Sequence, residues 1–149
     1  MPLKIQTNIK RLSLHDSHFE KIVRKGQNIE LTFDWAKLEN YAEQGIEDGL
    51  VLGKTKVAIN GICNEEFKSY YNGEKWETIE SPNDIVDSWQ EVANTEIDEK
   101  LQRIQLDGMF NTEQEHFWIE WSFNYKNCEI EWNNHVTFTE WKNGKLPND

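Results

Sequence analysis

HFWIEWSFNY, residues His116 to Tyr125, decides the fold. Phe117, Ile119, Trp121, Phe123 and Tyr125 alternate with Trp118, Glu120, Ser122 and Asn124. A period of two belongs to an extended strand, whose successive side chains point to opposite faces, so the aromatic set is expected against a core and the polar set away from it. Cys128, Ile130 and Trp132 repeat the pattern in CEIEW, as do Val136 and Phe138 in VTFTEW. A one-residue slip would turn every side chain to the wrong face. Matching apolar faces therefore predicts an antiparallel meander, with Trp121 opposite Trp132 through a turn at Lys126-Asn127 and Trp132 opposite Val136 through Asn133-Asn134-His135.

The same reading extends outward along the chain. Asn28 to Trp35 alternates cleanly, and Lys25-Gly26-Gln27 turns it back from a strand at His18–Arg24, where the three-residue spacing of Phe19 and Ile22 implies a bulge. Asn72-Gly73 lies between two strand-like runs and reads as a hairpin turn, since both residues tolerate positive φ. Further strands are expected around Val57 and Ile59, and around Ile104 and Leu106. Ser81, Pro82 and Asp84 carry a helix-start signal. Ile85, Val86, Trp89 and Val92 follow at helical spacing, leaving Asp84, Asp87, Ser88 and Glu91 on the outward side. The run from Ala36 to Asp48 is compatible with a short helix or a loop. The expected fold is one mostly β domain over residues 1–149, an antiparallel β-sandwich or partly closed barrel of about seven to nine strands with one or two short helices.

Composition constrains function more by exclusion. The chain has 27 acidic and 16 basic residues, a net charge of -11, and a field of that sign disfavours direct binding to nucleic acid. Residues 74–99 hold nine acids against Lys75 alone, whereas residues 1–37 are net positive. No run approaches the ~18 apolar residues of a membrane helix, and the N-terminus lacks a continuous apolar stretch, so a soluble cytoplasmic protein is expected. Cys63 and Cys128 are expected to be reduced and buried. No phosphate loop, C-x-x-C pair or dinucleotide fingerprint occurs, and no cofactor or metal is implied.

Two groups of residues invite a functional reading. In LSLHDSHFEKI, His15, Asp16 and His18 could serve a metal or, with Ser17, hydrolysis. Extended backbone would place His15 and His18 on opposite faces, and a triad normally draws its members from separate elements. A turn into the first hairpin, with Asp16 and Ser17 accepting backbone N–H groups, is the simpler expectation. The second group is acidic and aromatic. Trp118 and Glu120 share the outward face of their strand, where Glu120 with Glu129 or Glu131 forms a carboxylate pair that could hydrolyse a glycoside while Trp118 stacks on the sugar. Aromatic anchors ringed by charge are also typical of protein interfaces. Trp76 and Trp141 share their faces with polar residues in the same way.

LHDSHFEKI followed by QNIELTFDW, and later LQRIQLDGMF and HFWIEWSFNY, resembles small bacterial β-rich proteins that open with an L-H-D-S/A element leading into a hairpin. Some of those proteins are placed among the immunity proteins of polymorphic toxin systems. The resemblance is concentrated in residues 1–35 and transfers no catalytic residue. It implies a protein that neutralises a toxin by binding it. The expected function is accordingly a non-enzymatic acidic binding protein with a basic protein partner, bound through Asp84, Asp87, Glu91, Trp118 and Glu120. The alternatives are a small metal-dependent or hydrolytic enzyme using His15, Asp16 and His18, or a domain binding a small ligand or carbohydrate.

Overall fold

Aromatic strands fold against one another in three antiparallel sheets. The structure is a computed structural model that describes residues 2–70, 76–82 and 84–148. In chain order the first strands are β1 (Leu3–Gln6), β2 (Leu12–Ser13), β3 (Phe19–Lys25), β4 (Asn28–Phe33) and β5 (Ala36–Leu38). They are followed by β6 (Leu50–Leu52), β7 (Thr55–Asn60), β8 (Cys63–Tyr70) and β9 (Glu77–Ile79). A single helical turn, α1 (Ile85–Ser88), leads directly into β10 (Trp89–Asp98). Then come β11 (Arg103–Asn111), β12 (His116–Asn124), β13 (Asn127–Trp132), β14 (His135–Thr137) and α2 (Phe138–Lys142). The first sheet has the order β1-β13-β7-β4-β3, the second β10-β11-β12-β8-β9 and the third β14-β6-β5-β2.

The mostly β, sandwich-like architecture agrees with the alternation, and the sheets do not close into a barrel. Fourteen strands among the described residues replace the expected seven to nine, because β1, β2, β5 and β6 are too short to show a period and β10 begins in the run that reads as a helix. Its β5, with a 3-10 turn at Ala42–Gln44, occupies the stretch that was compatible with a helix or a loop. The expected bulge in the first hairpin is present, as the β3–β4 register shifts between Phe19 and Lys21. Cys63 is exposed and only Cys128 is buried, both free. The Asn72-Gly73 turn lies outside the described residues, although the strands flanking it, β8 and β9, pair antiparallel.

The predicted meander does not form. β12 pairs with β11 and β8, β13 pairs with β1 and β7, and β14 pairs with β6. Alternation was right about the faces: Phe117, Ile119, Trp121, Phe123, Cys128, Ile130 and Trp132 are all buried. These aromatic faces meet across a sandwich instead of lying side by side in one sheet, an arrangement that buries both without any pairing between the strands. One core cluster includes residues of all three sheets. At its centre Phe67 stacks on Trp121 with centroids 5.2 Å apart, and Phe19 meets Trp89 at 5.1 Å and Phe33 at 4.9 Å.

The helix expected from Pro82 to Val92 is also corrected. It lasts four residues, preceded by Asp84 in the left-handed region at φ 55° with no side-chain capping hydrogen bond, and Trp89 and Val92 belong to a strand. Register shifts between Trp89 and Asn94 let both residues point inward although they are three apart, so a bulged strand imitated helical spacing. The Trp89 indole lies over β11, its N–H donating to the Glu91 carbonyl at 3.0 Å. Only glycine fits beneath it: a Cβ on Gly108 would lie 2.3 Å from Trp89 Nε1 and 2.4 Å from the Glu91 oxygen.

The third sheet covers one part of the core with Leu12, Leu38, Leu50 and Leu52. α2 lies against its outer face, with Lys37 Nζ 4.9 Å from the Trp141 ring, 5.4 Å from Phe138 and 5.6 Å from Trp35. A capping box secures the start of α2, Glu140 N–H donating to Thr137 Oγ1 and Thr137 N–H to Glu140 Oε1. These hydrogen bonds and Lys145 pull the Glu140 pKa down to about 2. No helix among the described residues is long and apolar enough to cross a membrane.

Candidate functional site

The outward faces of the two five-stranded sheets differ in charge balance. On the first sheet Lys4 approaches Glu131 at 3.2 Å and Glu129 at 3.9 Å, and Lys56 approaches Glu131 at 3.6 Å, so acids and lysines interleave. Glu129 and Glu131 are therefore not neighbours of Glu120, contrary to the expectation from the meander. On the second sheet the register aligns Asn94, Asp107, Glu120, Lys68 and Thr78 in one row across five strands. Glu96, Gln105, Ser122 and Glu66 form the row beside it, and Asp98 lies opposite Arg103 beyond that. Five carboxylates thus share this face with Lys68 and Arg103. Lys68 pairs with Glu66 at 3.2 Å. Arg103 is turned to neutral acceptors, namely the Asn64 carbonyl, Asn124 Oδ1 and Ser122 Oγ at 3.0, 2.8 and 2.8 Å.

Burial, with like charge adding to it, shows in the acidities. Burial raises the Asp107 pKa above the ordinary carboxylate value and Glu96 adds to it, against hydrogen bonds from Asn94. One of its oxygens, Oδ1, is buried without a hydrogen-bond partner. Burial likewise raises Glu120, and Asp107, Glu96 and Glu66 add to the effect against the single opposing charge of Lys68. Glu65, on the same strand as Glu66, behaves differently. Burial would raise its pKa too, but hydrogen bonds from Arg24 and from Trp121 Nε1, the latter at 2.7 Å, outweigh it and hold the group below its ordinary value. The contrast marks Asp107 and Glu120 as carboxylates the fold leaves undercompensated.

An aromatic row adjoins these acids. Met109, Trp118 and Tyr70 are cross-strand neighbours, and Tyr70 continues to Trp76 with ring centroids 5.1 Å apart. Trp76 is 40% and Met109 37% exposed, while Trp118 is half-buried. With His116 and Phe117 they line a depression of about 480 Å³. Large apolar side chains beside unbalanced charge give contact area and long-range attraction together.

The other expected residues are dispersed. Asp84 and Asp87 are exposed at α1, and Glu91 is exposed on β10 and not on a helix face. Asp84 instead joins Glu80 and Glu113 around a separate cleft of about 640 Å³ floored by Phe110 and Phe117, whose rings stack at 5.0 Å. Trp118 and Glu120 are thus brought into one site with Asp107, Tyr70 and Trp76, and the helix acids are not.

His15, Asp16 and His18 occupy a turn. Asp16 has φ 67°, a conformation Asp tolerates better than most residues. The backbone acceptor is Asp34 and not Asp16, with the His18 N–H donating to its Oδ1 at 2.8 Å. Ser17 is fully buried and its hydroxyl donates to the Trp35 carbonyl at 2.7 Å, which removes it from reach of a substrate. His15 Nε2 lies 3.5 Å from Asp16 Oδ1. Among the described residues no three His, Cys, Asp or Glu side chains gather as a metal site requires.

No known family, characterised protein or solved structure matches the chain.

Proposed function

We propose that this is a non-enzymatic, cytoplasmic binding protein of immunity type that docks a basic protein partner on the outward face of its second sheet. The observation that carries this reading is the juxtaposition of Asp107 and Glu120, undercompensated by cations, with the aromatic row Trp118, Tyr70 and Trp76. A partner's lysines and arginines would relieve the repulsion among the acids, and its apolar or aliphatic surface would cover the rings. The net charge of -11 makes encounter with such a partner fast and encounter with nucleic acid slow. The test is a growth assay with the product of the adjacent gene: its expression should arrest growth, co-expression of this chain should restore it, and Asp107→Asn with Glu120→Gln should remove the protection. A harmless neighbour, or full protection by the double variant, would contradict the reading.

A second reading rests on the same ring row. Three aromatic rings beside two carboxylates with raised pKa values also suit a carbohydrate, which stacks on rings and hydrogen-bonds to acids. Tryptophan fluorescence titrated with a panel of oligosaccharides would respond in that case and stay flat otherwise.

A further inference from the structure

β10 is the longest strand among the described residues and an edge of the second sheet. Its sequence, WQEVANTEID, has neither lysine nor proline, two common devices that discourage pairing at an edge. At its beginning the edge is already used by the chain itself. Asp16 N–H donates to the Val92 carbonyl and Val92 N–H to the Ser17 carbonyl, both at 2.8 Å, and the His15 ring meets the Ala93 carbonyl. From Asn94 to Asp98 no strand of the described residues lies on that edge.

Beside this open length runs a groove of about 380 Å³ whose apolar wall is Leu12, Leu14, Ala93 and Ile97, with Thr95 and Lys10 also on its lining, the Lys10 charge being paired with Glu99 at 3.4 Å. β2, which contributes Leu12 and Ser13, is itself the edge of the third sheet, so two strand edges border one groove. Thr95 Oγ1 is buried there without a hydrogen-bond partner. Residues on β10 alternate: Thr95 and Ile97 stand opposite the buried Leu106 and Ile104, whereas Asn94, Glu96 and Asp98 belong to the acidic outward face.

We infer that the open edge of β10 receives an extended segment of the partner as an added antiparallel strand, with apolar residues alternating with lysine or arginine. Its apolar side chains lie over Leu12, Leu14 and Ile97, and its cations stand across from Glu96 and Asp98, where opposite charges on neighbouring strands attract. A second copy of this chain does not suit the edge, because Glu96 and Asp98 would approach their own equivalents. The charge of the segment rests on the function proposed above; the strand-addition mode rests on the edge and the groove.

The probe is an acetylated peptide of alternating lysine and valine, about nine residues long, titrated into the isotope-labelled full chain, with an analogue N-methylated at alternate residues as control. Slowed amide exchange between Asn94 and Asp98, together with at least tenfold weaker binding of the N-methylated peptide, is the expected result. Shifts confined to Trp118, Glu120 and Asp107, with no effect of N-methylation, would overturn strand addition and leave the basic-partner reading standing. No binding by either peptide would overturn both.

Discussion

Asp107 and Glu120 stand directly opposite each other on β11 and β12; burial raises the proton affinity of both, Glu96 adds to each, and Asp107 adds to that of Glu120. Directly opposed residues in antiparallel strands have Cβ atoms about 4.5–5.5 Å apart, close enough for like charges to destabilise the sheet. The pair is therefore a cost to the free protein at neutral pH. A bound cation would remove that cost, which links these two undercompensated carboxylates to the aromatic row beside them.

The sign of the pH dependence follows. Both groups have folded-state pKa values above their ordinary ones, so the folded chain holds their protons more tightly than the unfolded chain does. Their favourable contribution is present in acid and is lost as pH rises through the raised values. Asp107→Asn with Glu120→Gln should be more stable than wild type at pH ~7, on the order of 0.5 kcal/mol given partial exposure and screening. The gain should shrink toward pH ~4, near the ordinary carboxylate values. Urea denaturation across that range measures it, and an equal or lower stability at neutral pH would contradict the assignment.

His135 gives the opposite slope. Its Nδ1 lies 3.0 Å from Trp132 Nε1, an indole N–H that can only donate, so the imidazole accepts there and is neutral at that nitrogen. Burial lowers its pKa, opposed by Glu140. The stability tied to this bond is full above the ordinary histidine value of about 6.5 and is lost as pH falls through the lowered one. In an NMR titration, His135 should titrate below about 6.5 and the Trp132 indole N–H resonance should move with the same midpoint. A midpoint above that value, or an unresponsive indole, would be inconsistent with the contact.

Gly108→Ala should destabilise the protein by about 1–3 kcal/mol through overpacking under Trp89. Backbone and indole atoms meet the new Cβ, so neither can swing aside freely. Chemical denaturation would read the loss, and an unchanged midpoint would show that β10 can shift.

Lys37→Ala should loosen α2 at a cost of about 1 kcal/mol, because three rings lose the cation they surround. Lys37→Arg should retain most of it. Limited proteolysis between Thr137 and Lys145 would report the loosening; equal resistance in Lys37→Ala and wild type would argue against it.

Much of this was legible in the chain, but unevenly. The alternation in residues 117–123 identified the buried and outward faces, and so placed Trp118 and Glu120 on a surface. It could not identify neighbours, because a period of two specifies a face and says nothing of which strand lies alongside. Glu120 was therefore matched with Glu129 and Glu131 when Asp107 and Lys68 flank it. The helix was misread for a related reason: inward residues three apart, Trp89 and Val92, arise in a helix or across a bulge, and only pairing to Gly108 distinguishes them. The acidity of residues 74–99 is plain in the sequence, but a second cation-free stretch completes it. Neither Lys nor Arg occurs in residues 76–99 or 104–125, and these stretches supply four strands of the second sheet, so its acidity was written in the sequence.

The most direct measurement is the association rate with the product of the adjacent gene, at low and high salt, for wild type and for Asp107→Asn with Glu120→Gln. Docking on the acidic sheet face predicts a wild-type rate that falls about tenfold or more with added salt, and a double variant that associates more slowly at low salt. A rate insensitive both to salt and to the two substitutions would contradict it.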